Sequence, residues 1–574
     1  MTVDNSWSAY IFREGKVALS GRKLVEELAD GLGALHGTTH AARWEKLVDV
    51  LLRAGELECA LRDAESPYAR VAEGVTESIA AALVSGSVLR SDELARVVRG
   101  IVAPQQVKVA PPEGFAYYAL HPLDVADLVR RCAPCDGYAA VVGIRSIGTT
   151  LSALVKATLH DLEVRVERTT VRPFGHPYNR RTEFSQEQHR WIAKLLSHRA
   201  CFFVVDEGPG MSGSSFLSVG DALLSAGVPR SQIAFLCTRR ADPASLMANN
   251  AADRWPAFNA HYTDPTKHLP TDAKEYIAGG IWRAKAFASE EQWPASWIQM
   301  ERLKFLSTDG TRMFRFEGFG RFGADLRERS AKVGDAGFGP TPERSEQGFG
   351  IYPMLRGRYL SSEDADEVLL KRIAGYCAFR ARELARDNHQ TSELETMLRF
   401  NTQQEFGVEL PASLQQLPVE RPVVADARML PHKWMVAETP VKPTGGLNGA
   451  PMIMKLDAAT HGDDHFFPGP TDIAWDLAGT ILEWRLPAEA ATYFVACYRA
   501  RSGDDPSRRL PAYLMAYSIF RTAYCKMAGA AMRGAAEYPR MMRHYQWYRS
   551  QAARVLGNLV PQQESSSLET RRAA

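Results

Sequence analysis

Two adjacent carboxylates, Asp206 and Glu207, follow the apolar run FFVV and precede GPGMSGSS, which is nearly all Gly, Ser and Pro. An apolar run that meets a Gly/Ser loop predicts a buried strand ending at the acids and a loop that opens a helix. Such a junction can hold a phosphorylated sugar. N–H groups of the loop and of the helix N-terminus cradle a phosphate, small residues let the backbone approach, and the hydroxyls of Ser212, Ser214 and Ser215 add donors. The acids then lie where a ribose diol or a divalent cation would meet them, and either relieves the repulsion between neighbouring carboxylates. The plainer role for the pair is to cap a helix N-terminus.

Two more stretches upstream could serve the same ligand. VVGIRSIGTT sets Gly143, Arg145, Ser146, Gly148 and Thr149 in a short loop after a strand, and RPFGHPYNRRTEF, Arg172 to Phe184, is a basic and aromatic loop carrying His176, Tyr178, Arg180 and Arg181. The segment EGFAYYALHPLD, with Phe115, Tyr117 and Tyr118, could form an aromatic hood or simply pack in a core. The one CxxC pair, Cys132 and Cys135, has no matching second pair and reads as a turn before a strand.

A second constellation lies near the C-terminus. RPVVADARMLPHKWMV delivers Asp426, MIMKLDAATHGDD delivers Asp457, and GPTDIAWDLAGTILEW carries Asp472 and Asp476 at a helix start. Phosphoryl transfer needs this order: one carboxylate to orient or deprotonate a hydroxyl and another to hold Mg²⁺ on nucleotide phosphates. HGDDHFFPG is a rival position for the catalytic loop, and its His461, Asp463, Asp464 and His465 could bind a metal or be merely solvated.

These residues must be positioned by several cores, because a chain of 574 residues exceeds what one core comfortably serves. Hydrophobic content of 45% and charged content of 24% are ordinary, and a net charge of +2 points to no nucleic-acid partner. The N-terminus lacks a signal-peptide pattern and no run of about 18 apolar residues occurs, so the expectation is a cytoplasmic protein without a membrane partner. The eight scattered cysteines do not suggest a disulfide scaffold. Helical spacing dominates residues 1–106, and short apolar strands alternate with helical patterns over 107–245, which predicts a parallel sheet covered on both faces. An aromatic, Pro-dotted linker is expected at 246–294, a hairpin followed by long helices at 295–560, and a polar disordered tail at 561–574.

VVDEGPGMSGSS resembles the 5-phosphoribosyl 1-diphosphate motif of type I phosphoribosyltransferases. The resemblance implies Asp206 and Glu207 as the acidic pair and Gly210, Met211, Ser212, Gly213 and Ser214 as the 5-phosphate loop. It also implies Arg145 and Ser146 on the diphosphate loop, and Arg172, Arg180 and Arg181 on a mobile loop that shields the reacting centre. Gly208-Pro209 and Met211 depart from the usual residues of the motif. The C-terminal order resembles aminoglycoside phosphotransferase-like kinases, which implies Asp426 as base, Asp457 with His432 as metal ligands, and Asp472 with Asp476 as braces of the catalytic loop. It further implies Arg315 or Lys304 as a phosphate contact and Glu328 as its helix partner.

The expected fold class is therefore multidomain α/β: a helical N-terminal region, a parallel-sheet phosphoribosyltransferase-like domain and a C-terminal α+β kinase-like domain. The function implied is transfer of a phosphoribosyl group to a nitrogenous base, with Mg²⁺, and ATP-dependent phosphorylation of the product or a related small molecule. A homodimer is compatible with this reading. The alternative is a sensor that binds the sugar diphosphate or a nucleotide without turnover and regulates a partner.

Overall fold

The computed structural model describes residues 17–36, 40–132, 137–387, 391–410, 414–438, 452–460, 467 and 469–559. Cys135, the loop residues His461, Asp463, Asp464 and His465, and the tail 561–574 lie outside the described residues.

Four helices come first: α1 (Gly21–Gly33), α2 (His40–Asp63), α3 (Ala69–Ser85) and α4 (Ser91–Arg99). A parallel sheet follows, built from β1 (Tyr138–Ile144), β2 (Arg165–Val171), β3 (Cys201–Val205), β4 (Ile233–Cys237) and β5 (Asn259–Tyr262), in the order β2-β1-β3-β4-β5. Helix α5 (Ile147–Asp161) leaves the loop after β1, and α6 (Ser214–Ser225) leaves the loop after β3. The strand sequences YAAVVGI and CFFVV are apolar throughout because both faces are covered. Ala139, Val141, Phe203 and Val205 enter one core with α5 and the N-terminal helices, whereas Ala140, Val142, Phe202 and Val204 enter another with α6. Each of these Val and Phe side chains, fully buried, contributes about 1.5–3 kcal/mol.

The N-terminal helices dock on the sheet through a buried charge cluster. The Arg168 guanidinium on β2 lies 3.0 Å from Glu58 on α2 and 3.1 Å from Glu77 on α3. Arg168 and Glu58 have no exposed side-chain surface, so Glu58 depends on Arg168 for compensation, and Arg168 on Glu58 together with Glu77.

Beyond the parallel sheet, β6 (Glu275–Tyr276), β7 (Lys304–Leu306), β8 (Arg312–Phe316), β9 (Arg344–Glu346) and β10 (Phe349–Pro353) form an antiparallel sheet in the order β6-β7-β8-β10-β9, with α7 (Gly320–Asp335) between β8 and β9. The stretch 246–294 thus contributes β5 to the first sheet and β6 to the second. A smaller sheet of β11 (Gly357–Tyr359), β12 (Trp434–Ala437) and β13 (Met452–Lys455) follows. It packs with α8 (Glu367–Glu383), α9 (Ala474–Glu483), α10 (Leu510–Ala531) and α11 (Tyr538–Leu559) near a core that includes the buried Trp434, Trp475 and Trp484. Among the described residues no helix is long and apolar enough to cross a membrane, and the described cysteines are free thiols.

Candidate functional site

Beyond the carboxyl ends of β1 and β3, where ligands of open parallel sheets bind, lies a cavity of about 420 Å³. Ser146 and Ile147 line it from the loop after β1, and Asp206 to Gly208 with Gly210 to Ser212 line it from the loop after β3. Pro177 and Tyr178 come from a short exposed hairpin, Phe174–His176 paired with Asn179–Arg181. The chain lets these segments meet by keeping them bare. A Cβ on Gly143 would stand 2.4 Å from the Gly148 carbonyl, and one on Gly148 would stand 2.8 Å from the Val205 carbonyl. Ser146 holds φ at 110°, a region that non-Gly residues seldom occupy and that costs on the order of 1–3 kcal/mol.

Burial pushes the Asp206 carboxyl well above its ordinary range, and the neighbouring Glu207 charge adds to the effect. Glu207 accepts a hydrogen bond of 2.6 Å from the Gly114 amide. Two adjacent oxygen donors, one of them costly to ionise, suit a hard divalent cation or a sugar diol, so these residues fit Mg²⁺. The loop after β3 is held by its neighbours: Gly208 N–H donates to Thr238, Arg239 donates to the Pro209 carbonyl, and the carbonyls of Met211 and Ser212 accept from Met247 and Ala248. Gly213, at φ 67°, caps α6. Ser212 and Ser214 both donate their hydroxyls to the Pro177 carbonyl, at 3.0 Å and 2.6 Å. The hairpin therefore sits on the loop after β3, its Pro177 carbonyl taking up the hydroxyls of both serines.

The arginines depart from the sequence-based expectation. Arg145 pairs with Asp63 of α2 at 3.1 Å, and Arg172 is also bonded to Asp63 and donates to the Arg145 carbonyl. Neither lines the cavity, because a carboxylate from the N-terminal helices holds both. Arg180 and Arg181 lie on the hairpin and not on the cavity wall. Phe115 is fully buried in the core, whereas Tyr118 does line the cavity. Sequence reasoning missed Asp63, Gly114 and Arg239, as well as the closing wall of Trp297, Met300 and Met527. They come from segments outside the motif, and the aromatic, Pro-dotted stretch at 246–294 reads in sequence only as a linker.

In the C-terminal region Asp476, at the start of α9, accepts the amide N–H groups of both Asp426 and Ala427 at 2.8 Å and 3.0 Å. Asp472 accepts from the amides of Glu420 and Arg421. Asp476 thus meets the Asp426 loop, yet the surroundings of Asp426 and Asp457 do not match the expected roles. Asp426 is 1% exposed and is not on the wall of the adjoining cavity. Burial alone would raise its pKa, but Lys455 at 3.1 Å and Arg380 at 3.8 Å hold it below the ordinary value, and the Tyr376 hydroxyl donates to it. As placed, it is taken up by Tyr376, Lys455 and the Arg428 amide of its own loop instead of facing the cavity. Asp457 is engaged by Lys433 at 2.6 Å, Arg315 at 3.1 Å and Lys304 at 3.6 Å. His432 stacks on Trp282 and is kept neutral by burial and by Lys433. A carboxylate already surrounded by three cations does not fit a metal ion, so Asp457 with His432 is not a Mg²⁺ site as arranged. Glu328 is exposed and pairs with Lys332; the partners of Arg315 are Glu317, Tyr352 and Asp457.

Asp457, Lys433, Arg315 and Lys304 instead border a cavity of about 570 Å³. Its walls carry seven Lys and Arg side chains against four carboxylates, interleaved with Trp282, Trp293, Trp297, Tyr524 and Trp547.

No family model and no curated protein matches the chain. Solved structures with which it shares similarity over a little under half its length include choline kinase LicA from Streptococcus pneumoniae, at 12% identity and a TM-score of 0.31, covering 44% of this chain and 89% of that one. Another is a choline/ethanolamine kinase family protein from Mesorhizobium loti, at 14% identity and a TM-score of 0.30, covering 49% and 94%. A third is a putative aminoglycoside phosphotransferase from Ralstonia eutropha, at 13% identity and a TM-score of 0.31, covering 44% and 88%. At such values the likeness assigns this chain neither an activity nor site residues.

Proposed function

We propose that the cavity beyond β1 and β3 binds 5-phosphoribosyl 1-diphosphate and transfers its phosphoribosyl group to a nitrogenous base. The observation that carries this reading is the convergence of three segments distant in sequence, around Ser146, Pro177–Tyr178 and Asp206–Ser212, on one cavity at the sheet's carboxyl edge. Asp206 and Glu207 accept from the ribose hydroxyls, and Gly210 to Ser214 offer backbone and hydroxyl donors to the 5-phosphate. Asp206 and Glu207 would also hold Mg²⁺, which when bound offsets charge on the diphosphate. In the reaction the bond from the anomeric carbon to the diphosphate oxygen breaks, diphosphate leaves with the electron pair, and a nitrogen of the base forms the new bond to carbon. The transition state has oxocarbenium character, so a dry site lined by carboxylates supports it, and the hairpin at 174–181 supplies the cover.

The test is diphosphate release from full-length protein supplied with phosphoribosyl diphosphate, Mg²⁺ and a panel of bases, beside calorimetric binding of the sugar diphosphate. Release with at least one base, lost in Asp206→Ala, is the expected result. Tight binding with no release for any base would instead describe a sensor.

A second reading, phosphoryl transfer from ATP in the C-terminal region, draws support from the clamp of Asp476 on the amides of Asp426 and Ala427. It requires Asp426 to leave Lys455 and Mg²⁺ to be held by residues other than Asp457 and His432. ATP-dependent phosphorylation of the first product that disappears in Asp426→Asn is its test.

A further inference from the structure

The two cavities are neighbours. Trp297 and Met300 line both, so one aromatic and one thioether side chain form a common wall. The Tyr118 hydroxyl approaches Met300 Sδ at 3.4 Å on the side of the first cavity, and Trp297 meets Tyr524 edge to face at 5.2 Å on the side of the second. A methionine, with three rotatable bonds, is a partition that can yield.

The second cavity is built for an anion with a flat, apolar part. Around Asp457 stand Lys304, Arg315 and Lys433, and the far end adds Arg428 over Tyr524 at 4.9 Å and Arg485 over Trp547 at 4.3 Å. Arg485 is exposed, and no carboxylate among the described residues pairs with it. Burial keeps His432 and His544 neutral, so the cationic excess comes from Lys and Arg, and the arginines stay charged at any physiological pH. Aromatic faces offer stacking, and about 570 Å³ lies within the range that holds a ligand of drug size.

We propose that this basic cavity binds the phosphorylated product formed in the neighbouring cavity, a ribonucleoside 5′-monophosphate or a close analogue, with its phosphate on the Lys and Arg cluster and its base among the aromatic rings. The inference rests on the reading of the first cavity, whose product necessarily retains the 5-phosphate and gains a planar base. Side-by-side placement lets that product enter the second cavity without first equilibrating with bulk solution.

The experiment titrates AMP, GMP, CMP and UMP in turn into full-length protein saturated with phosphoribosyl diphosphate and Mg²⁺, so that the first cavity is filled. The expected result is that at least one monophosphate still binds, that its nucleoside binds about tenfold more weakly or worse, and that Arg485→Gln and Arg428→Gln each weaken the monophosphate by about tenfold. Both variants should bind phosphoribosyl diphosphate as the parent does, which also shows that they fold. If phosphoribosyl diphosphate binds but no monophosphate does, or if only ATP enters the second cavity, this inference is wrong and the reading of the first cavity stands. If phosphoribosyl diphosphate itself fails to bind, the reading of the first cavity falls and this one falls with it.

Discussion

At the scale of single residues, Asp206 is the most informative position. Its carboxyl is raised above the ordinary range by burial, so the charged form is the costly one in the folded protein. The sign follows directly. Stability from this group is fully present below the ordinary carboxylate pKa and is lost as pH rises through the raised value. Asp206→Asn should therefore melt at a higher temperature than the parent at neutral pH, with the difference vanishing in acid. The same variant should lose phosphoribosyl diphosphate binding in calorimetry by about 100-fold or more, the scale on which a key electrostatic contact is felt. In the parent, binding should weaken as pH falls through the raised pKa and Asp206 becomes protonated. A variant equal to the parent in both melting and binding would remove Asp206 from the site. That Asp206, Glu207 and Ser212 gather at the end of a buried strand was legible, because an apolar run, two acids and a Gly/Ser loop stand in consecutive positions. Arg145 and Arg172 misled because a basic side chain in a loop does not announce its partner, and here the partner is Asp63, over 80 positions upstream.

At the scale of elements, two junctions carry stored cost or compensation. The turn from β1 into α5 keeps Ser146 at φ 110°, which glycine would adopt freely. Ser146→Gly is expected to leave stability unchanged or raise it by about 1 kcal/mol in urea unfolding, while weakening sugar diphosphate binding as the loop loses its fixed shape. The start of α9 acts in the opposite sense. Burial lifts the Asp476 pKa to about 6 despite Arg380 at 3.4 Å, and the carboxylate still satisfies two amides. Asp476→Ala would strand those two amides and take one of its two carboxylate neighbours from the buried Arg380, so a loss of about 3–5 kcal/mol in denaturant unfolding is expected, with Asp476→Asn recovering part of it. Helix starts and strand ends were readable from sequence through apolar period and Gly/Ser punctuation. The role of Asp426 was not, because whether a carboxylate faces a ligand or a lysine depends on β13, which brings in Lys455.

At the scale of the whole molecule, the N-terminal helices form one face of the sheet's core, joined to it by Arg168 with Glu58, Glu73 and Glu77. Arg168→Ala should cost about 3–5 kcal/mol, since it leaves Glu58 buried without compensation. Replacing the pair together, Arg168→Leu with Glu58→Leu, should return most of that loss in the same thermal or denaturant measurement. A double variant no better than the single one would show that the cluster does more than neutralise itself. The wall shared by the two cavities is a property of this scale as well, because Trp297, Met300 and Met527 reach the first cavity from the C-terminal part of the chain.

The sequence by itself determined the parallel α/β unit, the acid pair with its bare loop and the order of acids near the C-terminus. These are local patterns: apolar period sets the element, and Gly, Ser and Asp in fixed succession set the junction. Only the tertiary structure decided which charges meet. It paired Arg145 and Arg172 with Asp63, surrounded Asp457 with Lys304, Arg315 and Lys433, and set two cavities against one wall. Coulomb energy and burial depend on distance in space, and residues such as Arg315 and Asp457, 142 positions apart, acquire that distance only when the chain folds.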